Sequence, residues 1–184
     1  HYLPHRFDEA ALAEAAAMPT APAPEDWAGR RDFRDLAIVT IDGETARDFD
    51  DAVFVERRGE GGFRLQVHIA DVAHYVQPGS ASEAAARERG TSVYFPDRAV
   101  PMLPLELSTG LCSLRPDEDR LVMSCLMEID GRGRVTGHEL TAGVIRSAAR
   151  MTYTQVNAIL EGDAALRRQF APLVAGLEAM AELQ

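Results

Sequence analysis

Residues 36–70 read LAIVTIDGETARDFDDAVFVERRGEGGFRLQVHIA, and their pattern decides the fold class. LAIVTI (36–41) is a short apolar run of the kind that forms a buried strand, and it ends on Asp42. AVFVE (52–56) predicts a second strand, RRGEGG (57–62) a turn, and FRLQVHIA (63–70) the returning partner. In that partner Phe63, Leu65, Val67 and Ile69 alternate with Arg64, Gln66 and His68, the two-residue period of a strand with one buried face.

Outward from this hairpin the pattern repeats. RLVMSCLMEID (120–130), the turn DGRG (130–133) and RVTGHELTAGVIRS (134–147) predict a second hairpin closed by an Asp-Gly turn. PGSASEAAARERG (78–90) offers a serine N-cap, an early glutamate and a terminal glycine, which predicts a short helix. YFPDRAVPMLPLEL (94–107) is broken by prolines and reads as a surface loop. Leu166, Phe170, Leu173, Leu177 and Met180 recur every three or four residues, one face of a closing helix. Alternating hairpins and helices give an α+β class: a mixed, largely antiparallel sheet with packed helices. FDEAALAEAAAM (7–18) is helix-forming, and PTAPAPEDW (19–27) reads as an extended proline-rich link. Residues 1–33 are therefore expected to be a peripheral segment and 34–184 the body.

The chain has 184 residues, 46% of them hydrophobic, enough for one sizeable core. Its apolar runs fall short of the roughly 18 residues a membrane span needs, and the N-terminus lacks the layout of a secretory signal, so a cytoplasmic protein is expected. Cys112 and Cys125 stand thirteen positions apart without a partner motif, which suggests neither zinc nor a disulfide framework. All nineteen basic residues are arginine, and the net charge of −10 argues against a broad nucleic-acid-binding surface.

TIDGETARDFDDAV (40–53) sets Asp42, Glu44, Asp48, Asp50 and Asp51 within ten residues, between two apolar segments. Carboxylates crowded in this way repel and raise one another's pKa unless a cation intervenes. An oxygen-only set favours magnesium or manganese over zinc, and four carboxylates can hold two ions. Asp50 and Asp51 would point oppositely in regular strand, so a loop or bulge around 47–51 is expected to turn the acids toward Asp42. A solvated acidic loop is the plain alternative. An EF-hand fits poorly, since Ala52 and Val53 fall where a ligand and a glycine belong. Asp48-Phe49-Asp50 also matches the short DxD of sugar-nucleotide transferases, a three-residue coincidence. His68, Asp71 and His74 invite a metal reading, but satisfied structural histidines are commoner.

Five longer strings point further: TIDGETARDFDDAV, VHIADVAHYV, GTSVYFPDRAVPMLP, LSTGLCSLRPDEDRLVMSCLMEID and ARMTYTQVNAIL. In this order they resemble the ribonuclease II and ribonuclease R exoribonucleases, in the first part of their catalytic RNB domain, from about residue 34 to 160. Thr109 departs from that pattern, where asparagine is expected. The resemblance implies a 3′-to-5′ exoribonuclease that hydrolyses single-stranded RNA to nucleoside 5′-monophosphates with Mg2+, or with Mn2+ in its place, by a two-metal mechanism. It assigns catalysis and metal binding to Asp42, Asp48, Asp50 and Asp51, and base stacking to Tyr94. Arg98, four residues after Tyr94, is a candidate phosphate contact whose alternative is a pair with Asp97 or a nearby glutamate. The resemblance also implies that the rest of the catalytic domain and flanking RNA-binding domains of the OB fold lie outside these residues. This stretch alone is then expected to be poorly active. The competing expectations are an inactive RNA-binding relative and a DxD-type transferase.

Overall fold

The computed structural model describes residues 4–184. Its centre is a seven-stranded sheet of β1 (Arg31–Asp32), β2 (Val39–Asp42), β3 (Asp51–Arg57), β4 (Phe63–Ala70), β7 (Asp119–Ile129), β8 (Val135–Arg146) and β9 (Ala149–Thr152). Their order across the sheet is β1-β8-β7-β4-β3-β2-β9. The inner pairs are antiparallel, and the two outermost, β1 with β8 and β2 with β9, are parallel. A separate two-stranded ribbon joins β5 (Val93–Tyr94) to β6 (Ala99–Val100). The α+β class with a mostly antiparallel sheet is therefore what the chain adopts.

Helices lie on both sides: α1 (Glu9–Ala17), α2 (Val72–Tyr75), α3 (Ala81–Arg89), α4 (Tyr153–Leu160), α5 (Ala164–Gln169) and α6 (Ala171–Leu183). One sheet face carries a core of Phe33, Ile38, Ala52, Val122 and Ile145, closed by Leu103, Leu107, Leu111 and Leu114 from the loops. The opposite face packs on the C-terminal helices, through Val39 and Met151 against Ile159, Leu173 and Leu177, and through Val55 and Phe63 against Ala179.

Helix ends follow the local chemistry. Ser80 caps α3 through Glu83 N–H at 3.0 Å, and Gly90 closes it at φ +73°, a left-handed conformation that a side chain would strain. Thr152 and Gln155 exchange bonds in a capping box that starts α4 where β9 ends. The apolar stripe read as one closing helix is split into α5 and α6 at Phe170: Pro172 has no N–H to continue α5 and sits instead in the first turn of α6. The stripe still reaches one core.

Two further readings need correction. β4 is not buried on its apolar side only: Gln66 and His68 are fully inside, whereas Ile69 is 46% exposed. On that side His68 shares a hydrogen bond with Ser124 Oγ at 2.8 Å and meets the Phe33 ring edge-on at 5.0 Å, while Gln66 Oε1 and His68 Nε2 find no partner among the described residues. Burial of this ring holds the imidazole pKa down at about 4, so it is neutral. Second, the proline-broken stretch 94–107 is more ordered than a plain loop, since it contains the β5–β6 turn and leads into a wide helical turn over Glu106–Leu111. Cys112 N–H closes that turn on the carbonyl of Leu107, five residues back, at 2.9 Å.

The N-terminal segment is bonded to the body. Glu14 accepts the Ala81 and Ser82 N–H groups, both at 2.8 Å, so α1 supplies a cap for α3. Arg31 and Asp32 extend the sheet beside Gly143 and Val144. Among the described residues no helix is long and apolar enough to cross a membrane.

Candidate active site

The four aspartates come from two strand ends and the loop that joins them. Asp42 is the last residue of β2, Asp51 the first of β3, and Asp48 and Asp50 lie on the loop between. That loop is not regular strand. Ala46 N–H turns back on Gly43 O at 3.2 Å, Phe49 sends its ring toward the core, and Ala70 N–H takes the Asp50 carbonyl at 2.9 Å. An apolar anchor between two acids leaves both acids on the cleft side.

All four border one open cleft of about 820 Å³, together with Tyr94, Arg98, Ser108 and Thr109. Removal from water raises the Asp42 pKa, and the nearby Asp51 charge adds to it while Arg150 opposes it. Burial also raises Asp50, with Asp48, Asp51 and Asp42 adding their repulsion. Each acid thus feels the others across the cleft. As placed, they line it rather than close on a point: among the described residues no three His, Cys, Asp or Glu side chains are near enough together to hold one ion. Asp42 Oδ2 is buried and makes no hydrogen bond, an unmet acceptor at the cleft. An all-oxygen set with such an atom suits a hard divalent cation.

Glu44 belongs elsewhere. Its carboxylate accepts the Thr154 hydroxyl, which lowers its pKa, and it does not line the cleft. Arg150 on β9 donates to the Gly43 and Glu44 carbonyls at 2.5 and 3.2 Å and lies over the Phe49 ring at 5.5 Å. It holds the loop and is a cation near Asp42. Sequence reasoning missed it because its partners lie more than a hundred residues away.

Tyr94 is 67% exposed, with its ring free at the mouth of the cleft and its hydroxyl donating to Asp48 Oδ2 at 2.8 Å. That bond, with burial, raises the phenol pKa. Arg98 lines the same cleft and pairs with Asp97 at 2.9 Å while stacking over Phe95. The Thr109 hydroxyl turns back to Leu105 O at 3.0 Å. His68, Asp71 and His74 do not converge. Asp71 binds Arg30 at 2.6 Å, and His74 faces Asp26 at 3.2 Å.

The sequence model of the RNB domain family matches residues 30–184. This chain belongs to the RNB domain family. Ribonuclease R of Escherichia coli (strain K12) is 51% identical to it over 183 residues, all of this chain but 22% of the relative. Among solved structures, Mycoplasma genitalium RNase R in complex with double-stranded RNA superposes with a TM-score of 0.89 at 33% identity, over 98% of this chain and 32% of that one. The same enzyme in complex with ribose-methylated single-stranded RNA gives the same TM-score over 28% of its length. The RNB stretch described here is thus a minor share of its relatives' length, and within it the aspartate cleft sits on β2, β3 and the loop between them.

Proposed function

We propose that this RNB chain supplies the metal-holding part of a 3′-to-5′ exoribonuclease that hydrolyses single-stranded RNA to nucleoside 5′-monophosphates, with magnesium, or manganese in its place, as cofactor. The observation that carries the reading is the gathering of Asp42, Asp48, Asp50 and Asp51 on one cleft whose mouth bears an exposed tyrosine, in a chain half identical to ribonuclease R. The relatives solved with bound RNA support the substrate class.

The four carboxylates would hold one or two ions. Such ions, when bound, supply the Lewis acidity that makes water a nucleophile at neutral pH and steadies the departing oxygen. The chain's own groups do the rest. Tyr94 offers a face on which a terminal base stacks without regard to its identity, which suits an enzyme that reads every sequence. Its hydroxyl restrains Asp48, so one residue touches both base and carboxylate sites. Arg98 stands at the same cleft, where exchanging Asp97 for a phosphate would orient the backbone. A DxD transferase has less support, because the acids on either side of Asp48 and Asp50 share their cleft.

The test is a digestion by the full-length protein of RNA labelled at the 3′ end or the 5′ end, with magnesium or with chelator. Immediate release of labelled mononucleotide from the 3′-labelled strand, only with metal, is the expected result. Cleavage starting internally or at the 5′ end, or undiminished in chelator, refutes the assignment.

A further inference from the structure

Asp48 and Asp50 flank Phe49, and the backbone at Phe49 is held by residues more than sixty positions away. Its N–H donates to Ser113 Oγ at 3.1 Å, and its carbonyl accepts Leu114 N–H at 2.8 Å. The Ser113 hydroxyl in turn donates to the Arg47 carbonyl at 3.3 Å. One hydroxyl thus accepts from one side of Asp48 and donates to the other, which uses both capacities of the group. Ser113 is completely buried.

Ser113 is placed by Arg120, whose side chain is only 2% exposed. The Nε group donates to the Ser113 carbonyl at 2.9 Å, one terminal nitrogen to the Asp119 carbonyl at 2.9 Å, and the other to Gly110 O at 3.3 Å and to the Glu118 carboxylate. Burying a guanidinium is costly unless its donors are met, and here the fork ties three backbone carbonyls together. Two of them belong to the wide turn and its exit, the segment that brings Ser108 and Thr109 to the cleft. Gly110 O also accepts Ser113 N–H at 3.1 Å, which closes the arrangement.

We infer that Ser113 and Arg120 are positioning residues: a buried brace that fixes the backbone on both sides of Phe49 so that Asp48 and Asp50 present their carboxylates to the cleft. The inference rests on the proposed metal-holding role of that cleft. It predicts a local effect. A group that merely fills the core would lower global stability and leave both the opening of the 47–51 loop and its metal affinity untouched.

The test uses the full-length protein with Ser113→Ala. Arg120→Met strands buried carbonyls and is the variant at risk of misfolding, so the serine carries the decision. Amide exchange at Phe49 and its neighbours is compared with exchange in β7, manganese binding is measured directly, and RNA turnover is resolved into KM and kcat. Loss of an outer partner of a metal ligand costs about 10- to 100-fold in metal affinity. The expected outcome is exchange faster at 47–51 but unchanged in β7, manganese held about tenfold more weakly, and a lowered kcat that recovers at raised magnesium with KM little moved. Wild-type exchange at Phe49 together with wild-type manganese affinity overturns the brace. If the wild type itself holds no manganese, the proposed function fails, and exchange at Phe49 alone then decides whether the brace exists.

Discussion

At Asp50 the carboxylate is held above its ordinary pKa by removal from water and by three neighbouring acids. The folded, metal-free chain therefore binds that proton more tightly than the unfolded chain does, and the fold gains stability as pH falls and loses it as pH rises through this range. Asparagine cannot ionise. Asp50→Asn is accordingly expected to melt higher than the wild type in chelator at about pH 8 and to lose that advantage at a pH low enough to protonate Asp50 in the folded chain. A variant that melts lower at both values would contradict the repulsion on which the site reading stands. Tyr94 separates into ring and hydroxyl. Tyr94→Ala should weaken binding of short single-stranded RNA by about 5- to 150-fold, since a stacked base contributes about 1–3 kcal/mol, whereas Tyr94→Phe keeps the ring and frees Asp48. Affinity of Tyr94→Phe as poor as that of Tyr94→Ala would show that the hydroxyl, not the face, is what binds. The aspartates were legible from sequence because ten residues contain them all. Ser113, Arg120 and Arg150 were not, because nothing local marks a buried hydroxyl or guanidinium whose partners lie far along the chain.

Among the elements, the strands of both hairpins stand close to where apolar runs and turn residues put them, and the errors concern what covers them. Alternation in β4 named only one of its two inner sides because Phe33, delivered by the segment after β1, comes to rest on His68 and makes the polar side interior as well. β9 escaped notice for a related reason: four residues are too few to show a period, and it joins the sheet only through a parallel pairing with β2. Gly143 exposes the same dependence. A Cβ there would stand 2.6 Å from the Phe33 ring and 3.2 Å from Ser124 Oγ. Gly143→Ala must push the ring off His68, and overpacking of this kind typically costs about 1–3 kcal/mol. Denaturant titration should show a lowered midpoint with an unchanged slope, and an unaltered midpoint would mean that Phe33 is not the lid of this core.

Across the whole molecule, a net charge of −10 coexists with a proposed polyanionic substrate. Many arginines are already engaged: Arg31 with Glu139, Arg57 with Glu182, Arg64 with Glu128 and Arg146 with Asp119. Cations held at the cleft, as proposed, would offset part of the imbalance, and a ligand that binds only the folded form stabilises it. At about a hundred times its Kd that amounts to about 2.7 kcal/mol. Magnesium or manganese should therefore raise the melting temperature of the full-length wild type, and a chelator-insensitive melt would count against an ion at this site. Class and family were readable in the order of the motifs, but the spread of the acids around the cleft was not, since it depends on how the loop at Phe49 packs against residues far along the chain. The decisive measurement is RNA turnover by full-length Asp50→Asn at saturating magnesium, with RNA binding monitored in parallel. Turnover is predicted to fall by more than about 100-fold while RNA is still bound, because losing a ligand should exceed the loss of its supports; turnover undiminished from wild type would contradict the claim that these carboxylates hold the catalytic ions.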